Sequence, residues 1–124
     1  MGYSISWGKR SVCIDYVGEI DNEEIITAHF SLNGDERFYD CQSLILDISN
    51  CNMDKVSVDN LIPIIGTDLG ASAVNKSLKV AMIATFPQNI EKASKYIKKC
   101  REVEYPWEFK LFNSREDANE WLVY

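Results

Sequence analysis

"SLILDIS", residues 43–49, is a continuous apolar run and not an alternating one. A strand with that pattern is covered by protein on both faces, so the run predicts an interior strand at the centre of a sheet. It leads into "NCNMDKVSVDNL", residues 50–61, which reads as an acidic, hydroxyl-bearing turn opening a helix. Ligand and regulatory sites are often placed at the C-terminal end of a parallel strand, which makes this turn the first place to look for function.

Upstream, "YSISW" and "SVCIDYVG" alternate apolar with polar residues around "GKR", the pattern of an antiparallel hairpin. "IDNEEIITAHFSLNG" (20–34) opens with a D-x-x-E capping box, Asp21 to Glu24, and closes on Asn33-Gly34, which suits a left-handed helix C-cap. Ile25, Ala28 and Leu32, with Ile26 and Phe30, give this helix a wide apolar stripe suited to lying across a sheet.

Downstream, Asp54 to Leu69 has helical spacing at Val58, Leu61, Ile62 and Ile65, but Pro63 lies inside it and predicts a kink or break. "LKVAMIAT" (78–85) reads as a second buried strand. "PQNIEKASKYIKKC" (87–100) reads as a helix with Ile90, Ala93, Ile97 and Cys100 inward. "EYPWEFKLF" (104–112) is extended because Pro106 biases Tyr105 away from helix, and it predicts a last strand near an edge. "NSREDANEWLVY" (113–124) closes with a helix started by the box Ser114–Asp117, with Ala118, Trp121 and Leu122 inward. The expected order is ββαβαβαβα in one domain, residues 1–124, with a mixed five-stranded sheet and about four helices.

The 124 residues carry a net charge of −6, which argues against a nucleic-acid partner because phosphate contacts need a concentrated basic surface. The apolar runs are too short for a transmembrane segment, and "MGYSISWGKR" has no signal-peptide core, so a cytoplasmic protein is expected. Cys13, Cys41, Cys51 and Cys100 show no CxxC spacing, and His29 is the sole histidine. No metal and no cofactor are predicted, and the cysteines read as small, half-buried apolar side chains. His29 lies on a helix without a nucleophile elbow and reads as an interfacial or surface residue, so an enzyme is not expected.

The order of elements, "GDERFYDCQSLILDIS" (34–49) before the central strand's tip and "FNSREDANEWL" (112–122) at the close, resembles the STAS domains of anti-sigma-factor antagonists, in particular small bacterial SpoIIAA-like proteins. The resemblance spans nearly the whole chain and rests on hydrophobic patterns that specify fold better than activity. It implies a SpoIIAA-like fold and a non-catalytic regulatory module that binds a protein partner. In phosphorylatable members an aspartate-serine pair follows the strand-ending aspartate by eight residues. Counted from Asp47, those places hold Lys55 and Val56, so phosphorylation at the usual serine position is not expected, and Ser57 reads as a helix N-cap.

The partner surface expected from this resemblance and from the turn is Asp47, Ser49, Asn50, Asn52, Asp54, Ser57 and Asp59, with the adjoining helix. As hard-cation ligands the same aspartates fit poorly, because acidic residues and asparagines populate turns for local reasons. Lys92, Lys95, Lys98, Lys99 and Arg101 form a basic strip that reads first as a solvated helix face. The alternative function is a carrier or sensor of a small apolar, lipid-like ligand. It rests on "LIPIIGTDLGASAV" (61–74), where a proline-interrupted helix could leave a space bounded by Ile62, Ile64, Ile65 and Leu69. SpoIIAA-like domains are described together with lipid-binding Sec14-type domains, which the resemblance adds to that alternative. A homodimer is a further expectation, because Trp7, Tyr105, Trp107 and Tyr124 fall near expected edges and termini.

Overall fold

The computed structural model describes residues 2–103 and 106–123. Tyr105 and Tyr124, two of the four aromatics expected at a dimer contact, lie outside the described residues. The elements are β1 (Tyr3–Gly8), β2 (Ser11–Asp21), α1 (Asn22–Asn33), β3 (Ser43–Lys55), α2 (Ile62–Ser72), β4 (Lys79–Ile83), α3 (Pro87–Val103), β5 (Glu108–Phe112) and α4 (Arg115–Leu122), with 3-10 turns at Glu36–Asp40 and Val58–Leu61. The sheet runs β1-β2-β3-β4-β5. Only β1 is antiparallel to its neighbour, and β2 through β5 are parallel. This is the SpoIIAA-like α/β architecture the sequence leads one to expect, with "SLILDIS" in the central strand.

Burial explains that position. Leu44, Leu46 and Ile48 join Val12, Ile14 and Tyr16 of β2 and Val80 and Met82 of β4 in the main core, under the inner faces of α1, α2 and α3. Ile45 turns to the opposite face and packs with Ala81, Ile83 and α4's Ala118, Trp121 and Leu122. A strand with a core on each side cannot alternate with polar residues.

Local signals set the helix starts. Asp21 accepts a hydrogen bond from the Glu24 N–H at 2.9 Å, and Ser114 from the Asp117 N–H at 3.1 Å, as the two capping boxes require. Two expectations are corrected. Gly34 has φ −85°, in the right-handed region and not the left-handed one, because the chain runs on directly into a 3-10 turn capped by Asp35. The helical segment over Asp54–Leu69, expected to kink or break at Pro63, is broken, and what is corrected is its start: residues 54–55 finish β3, Val58–Leu61 form a 3-10 turn, and α2 begins at Ile62 with Pro63 in its first turn, where the missing N–H breaks no helical bond.

Candidate functional site

β4 ends at Ile83, opposite Asp47, yet β3 continues to Lys55. Beyond Asp47 the strand keeps β2 on one side and loses its partner on the other, which strands backbone carbonyls over the core. α3 supplies the replacement. The Asn89 amide donates to the Ile48 and Cys51 carbonyls at 2.9 and 3.0 Å, and the Lys92 ammonium donates to the Val56 carbonyl at 2.9 Å and also to that of Met53. One turn of helix thereby does what a strand would have done. The basic strip is largely engaged inside the molecule too: Lys95 and Lys99 pair with Asp59 at 3.5 and 3.1 Å, and Arg101 donates to the Phe109 carbonyl.

The expected acidic turn from Asp47 to Asp59 is therefore mostly strand, and its residues separate onto different surfaces. A register shift lets β2 advance from Asp15 to Val17 while β3 advances from Asp47 to Asn50. The extra residue reverses the pleat, so Cys51 and Met53 point into the core while Asn50, Asn52 and Asp54 point out. Ser57 stands at the N-cap position but its side chain makes no capping bond. Instead its backbone is clasped by Asn22, which accepts from the Ser57 N–H and donates to its carbonyl, both at 2.7 Å. That geometry already holds the chain, and the hydroxyl is left exposed. Val56, at the place of the family's phosphoacceptor, is buried.

Asp47 belongs to a different cluster. It is Cα partner to Asp15 on β2, and Arg115, the first residue of α4, reaches both carboxylates, at 2.7 Å to Asp47 and 2.9 Å to Asp15. Ser49 donates to Asp47 from its N–H at 3.0 Å and from its hydroxyl at 2.5 Å. Burial pushes the Asp47 carboxyl up, but the hydrogen bonds from Arg115 and Ser49 and the Arg115 charge together outweigh it and hold the group below the ordinary carboxylate value. Asp47 and Ser49 thus form the tie between α4 and the sheet. Sequence reading missed Arg115 and Asp15, which lie 100 positions apart.

Cys13 lies beside this cluster, half-buried and donating to Asp15 at 3.5 Å, while Cys41, Cys51 and Cys100 are buried, and none of the four forms a disulfide. Burial, reinforced by Asp15, pushes its thiol up to about 12 despite the opposing Arg115 charge. Because the thiolate is the nucleophile, Cys13 in the folded protein should be alkylated by iodoacetamide at pH 8.5 at least roughly 100-fold more slowly than a free cysteine. A rate near that of free cysteine, read by mass spectrometry, would mean the surroundings of Cys13 are misassigned.

The four residues expected to bound an apolar ligand do not enclose one space. Ile64 and Ile65 are core residues, while Ile62 is 61% and Leu69 45% exposed. Helical geometry requires the split, since Ile64 and Ile65 share a side with Asp68 and Ser72, and Ile62, Gly66, Leu69 and Ala73 recur at spacings of three and four on another. α2 packs chiefly on α1 and on the Val58–Leu61 turn. Its single charged residue, Asp68, is buried, with Asn33 donating to it at 3.4 Å and His29 Nδ1 lying 3.9 Å from it, beyond hydrogen-bond distance. The outward side therefore presents Ile62, Pro63, Gly66, Leu69, Gly70 and Ala73 to solvent without one charge.

Of the two places expected for His29, interfacial or surface, the structure has the first: it is buried and faces α2 from the inner side of α1. It lines a cavity of about 40 Å³ among α1, α3, the Val58–Leu61 turn and the sheet, with Tyr16, Leu46, Met53, Met82 and Tyr96. Of the dimer aromatics, Trp7 is half-buried and Trp107 is buried, donating from Nε1 to the Asn75 carbonyl at 2.7 Å and meeting Phe38 edge-on at 5.7 Å. That packing removes Trp107 from any surface contact. Among the described residues no three His, Cys, Asp or Glu side chains converge as metal ligands, and no helix is long and apolar enough to cross a membrane.

No protein-family model matches the sequence, and no curated protein matches it. Solved structures do. An anti-sigma factor antagonist from Mycobacterium paratuberculosis superposes with a TM-score of 0.64 at 13% identity, over 98% of this chain and 93% of that one. The anti-sigma factor antagonist SpoIIAA in its unphosphorylated form gives a TM-score of 0.56 at 12% identity, over 98% of this chain and 96% of that one. An uncharacterized protein with a SpoIIAA-like fold from Shewanella loihica gives 0.50 at 18% identity, over 97% and 91%. At these identities the likeness establishes the fold, and the fold is SpoIIAA-like.

Proposed function

We infer that the chain is a non-catalytic, STAS-like regulatory module that binds a protein partner through the outer face of α2, with the exposed Ser57 and Asp59 in the segment that leads into it, whereas Asn50, Asn52 and Asp54 point off β3 away from the core and stand apart from this surface. One observation carries this reading: α2 is apolar on two sides and only one of them is packed. A surface helix ordinarily sets charged residues against water, and a helix apolar all round is one that is covered. The likeness to two anti-sigma factor antagonists, regulators of other proteins by name, supports the same reading. Raised thiols and a buried histidine supply no activated nucleophile, which supports a binding role over an enzymatic one. Four cysteines that form no disulfide fit a cytoplasmic, reducing compartment.

Regulation by phosphate at the usual position has no support, since buried Val56 stands there. Intact mass after incubation with cell extract and ATP should show no adduct at Ser57. The carrier alternative is weaker: the apolar cavity beside His29 holds about 40 Å³, against about 300–1,000 Å³ for small-molecule pockets, and the larger clefts of about 300–520 Å³ lie elsewhere and are not lined by Ile62, Ile64, Ile65 or Leu69.

The test has two steps. A protein captured from extract is identified, purified and titrated against wild type, Ile62→Glu/Leu69→Glu and Val123→Lys, the last altering an apolar residue 71% exposed at the far end of α4. The α2 double variant should weaken binding about 100-fold or more with unchanged circular dichroism, because two carboxylates would be desolvated at the centre of the contact, whereas Val123→Lys should bind as wild type. Equal affinity for all three proteins would end the proposal.

A further inference from the structure

We propose that β1 pairs with β1 of a second copy of this chain, antiparallel about a two-fold axis through Ile5, joining two sheets into one. The two edges of the sheet are built differently. β5 is a short edge of five residues bearing Glu108 and Lys110, and Arg101 occupies its Phe109 carbonyl at 2.9 Å. These are the devices by which a natural edge discourages another strand. β1, "YSISWG", has no charge, no proline and no bulge, its register running unbroken from Tyr3↔Tyr16 to Gly8↔Ser11. Among the described residues no strand lies beyond it.

The backbone phase makes the edge usable. In an antiparallel pair alternate residues exchange both bonds with the neighbour and the others turn N–H and C=O away. The two-residue loop Lys9–Arg10 closes on Gly8 and Ser11, and the Gly2 carbonyl accepts from the Val17 N–H at 2.8 Å. Even-numbered residues therefore bond to β2, and Tyr3, Ile5 and Trp7 direct their backbone groups outward. An axis through Ile5 sets Ile5 against its own copy and Tyr3 of one chain against Trp7 of the other, so each outward group meets a partner. The same three side chains pack half-buried against the main core, so pairing joins two apolar layers, as an isologous contact must.

Charge agrees with this direction. The hairpin end of β1 is basic, with exposed Lys9 and Arg10, while Arg37, stacked 4.3 Å over Trp7, has its charge met by Asp35 at 2.7 Å. Its start is acidic, with Glu24 accepting from the Gly2 N–H at 2.9 Å and Glu23 exposed nearby in the first turn of α1. The antiparallel arrangement lays the basic end of each copy beside the acidic end of the other, which favours a second copy over a strand of unrelated charge.

The test uses Ser4 and Ser6, both exposed on the outer sheet face and opposite one another across the axis. Analytical ultracentrifugation of wild type should show a concentration-dependent rise from the chain mass of 14.2 kDa to twice that value. Ser4→Lys/Ser6→Lys sets like charges in register and should weaken dimerisation by roughly tenfold or more, whereas Ser4→Glu/Ser6→Lys sets opposite charges in register and should restore it. Ile62→Glu/Leu69→Glu on α2 should leave the dimer intact, which separates this contact from the partner surface. A wild type that stays monomeric to millimolar concentration overturns the proposal. Equal behaviour of the two serine variants, both folded by circular dichroism, overturns it too.

Discussion

Asn89→Ala is expected to destabilise the fold by about 3 kcal/mol, read as a lower urea midpoint at unchanged slope. Asn89 is fully buried and serves two carbonyls of β3 at the place where β4 stops. Removing it leaves both acceptors without a donor inside the core, and each such group costs about 1–3 kcal/mol. Asn89→Asp should be worse at neutral pH although it preserves the shape, because a carboxylate cannot donate and would face two carbonyls away from water. Lys92 is the less sensitive member of the pair, being partly exposed and one turn nearer solvent. If Asn89→Asp proved as stable as wild type, the assignment of Asn89 as the surrogate strand would be wrong.

The second large effect concerns Arg115. Arg115→Met should cost about 1–2 kcal/mol near neutral pH, reduced from the value for a fully buried pair because the arginine side chain is 43% exposed. The pH dependence carries the sharper signature. In the native protein the Asp47 carboxyl is held below its ordinary value, so the unfolded chain binds the proton more readily. The group therefore contributes stability that is complete above the unfolded carboxylate range, near pH 4, and is lost as pH falls through the lower folded value. Without Arg115 the forces left on Asp47 are burial, which raises it, and the Ser49 hydrogen bonds, which lower it, so less of the variant's stability depends on that charge. The stability difference between the two proteins should therefore shrink on acidification through the carboxylate range. Parallel stability profiles for the two proteins would show that Arg115 does not govern the Asp47 charge.

What the sequence made legible followed the strength of its local signals. The run from Leu44 to Ile48 is apolar but for Asp47 and does not alternate, the pattern of an interior strand, and the two capping boxes mark helix starts by side-chain chemistry alone. The length of β3 was not legible. "NCNMDK" is rich in turn-forming residues, and the register shift before it reverses the pleat, so its alternation of Cys51 and Met53 with Asn50, Asn52 and Asp54 does not continue the phase of the run before it. Asn89 sits early in its helix, where a polar residue is ordinary, and nothing local says that it faces inward. Arg115 and its two aspartates meet only because three distant elements converge.

The proposed binding surface is half legible for a related reason. Ile62, Ile64, Ile65 and Leu69 lie in one apolar segment of sequence, but whether they close around a space or divide between core and solvent depends on how α2 seats on α1. The buried Asp68 beside His29 and Asn33 records that seating. Once α2's one charge is turned inward, its outer side has none left. That follows from the tertiary arrangement and cannot be read from hydropathy along the segment.

Hydrogen–deuterium exchange on the chain in complex with its purified partner tests the central claim most directly. The account predicts protection from residue 57 through the end of α2 at Ser72, with the β1 edge and α4 unchanged by the partner. Protection on the α4 side of the sheet, with α2 exchanging as in the free protein, would contradict it.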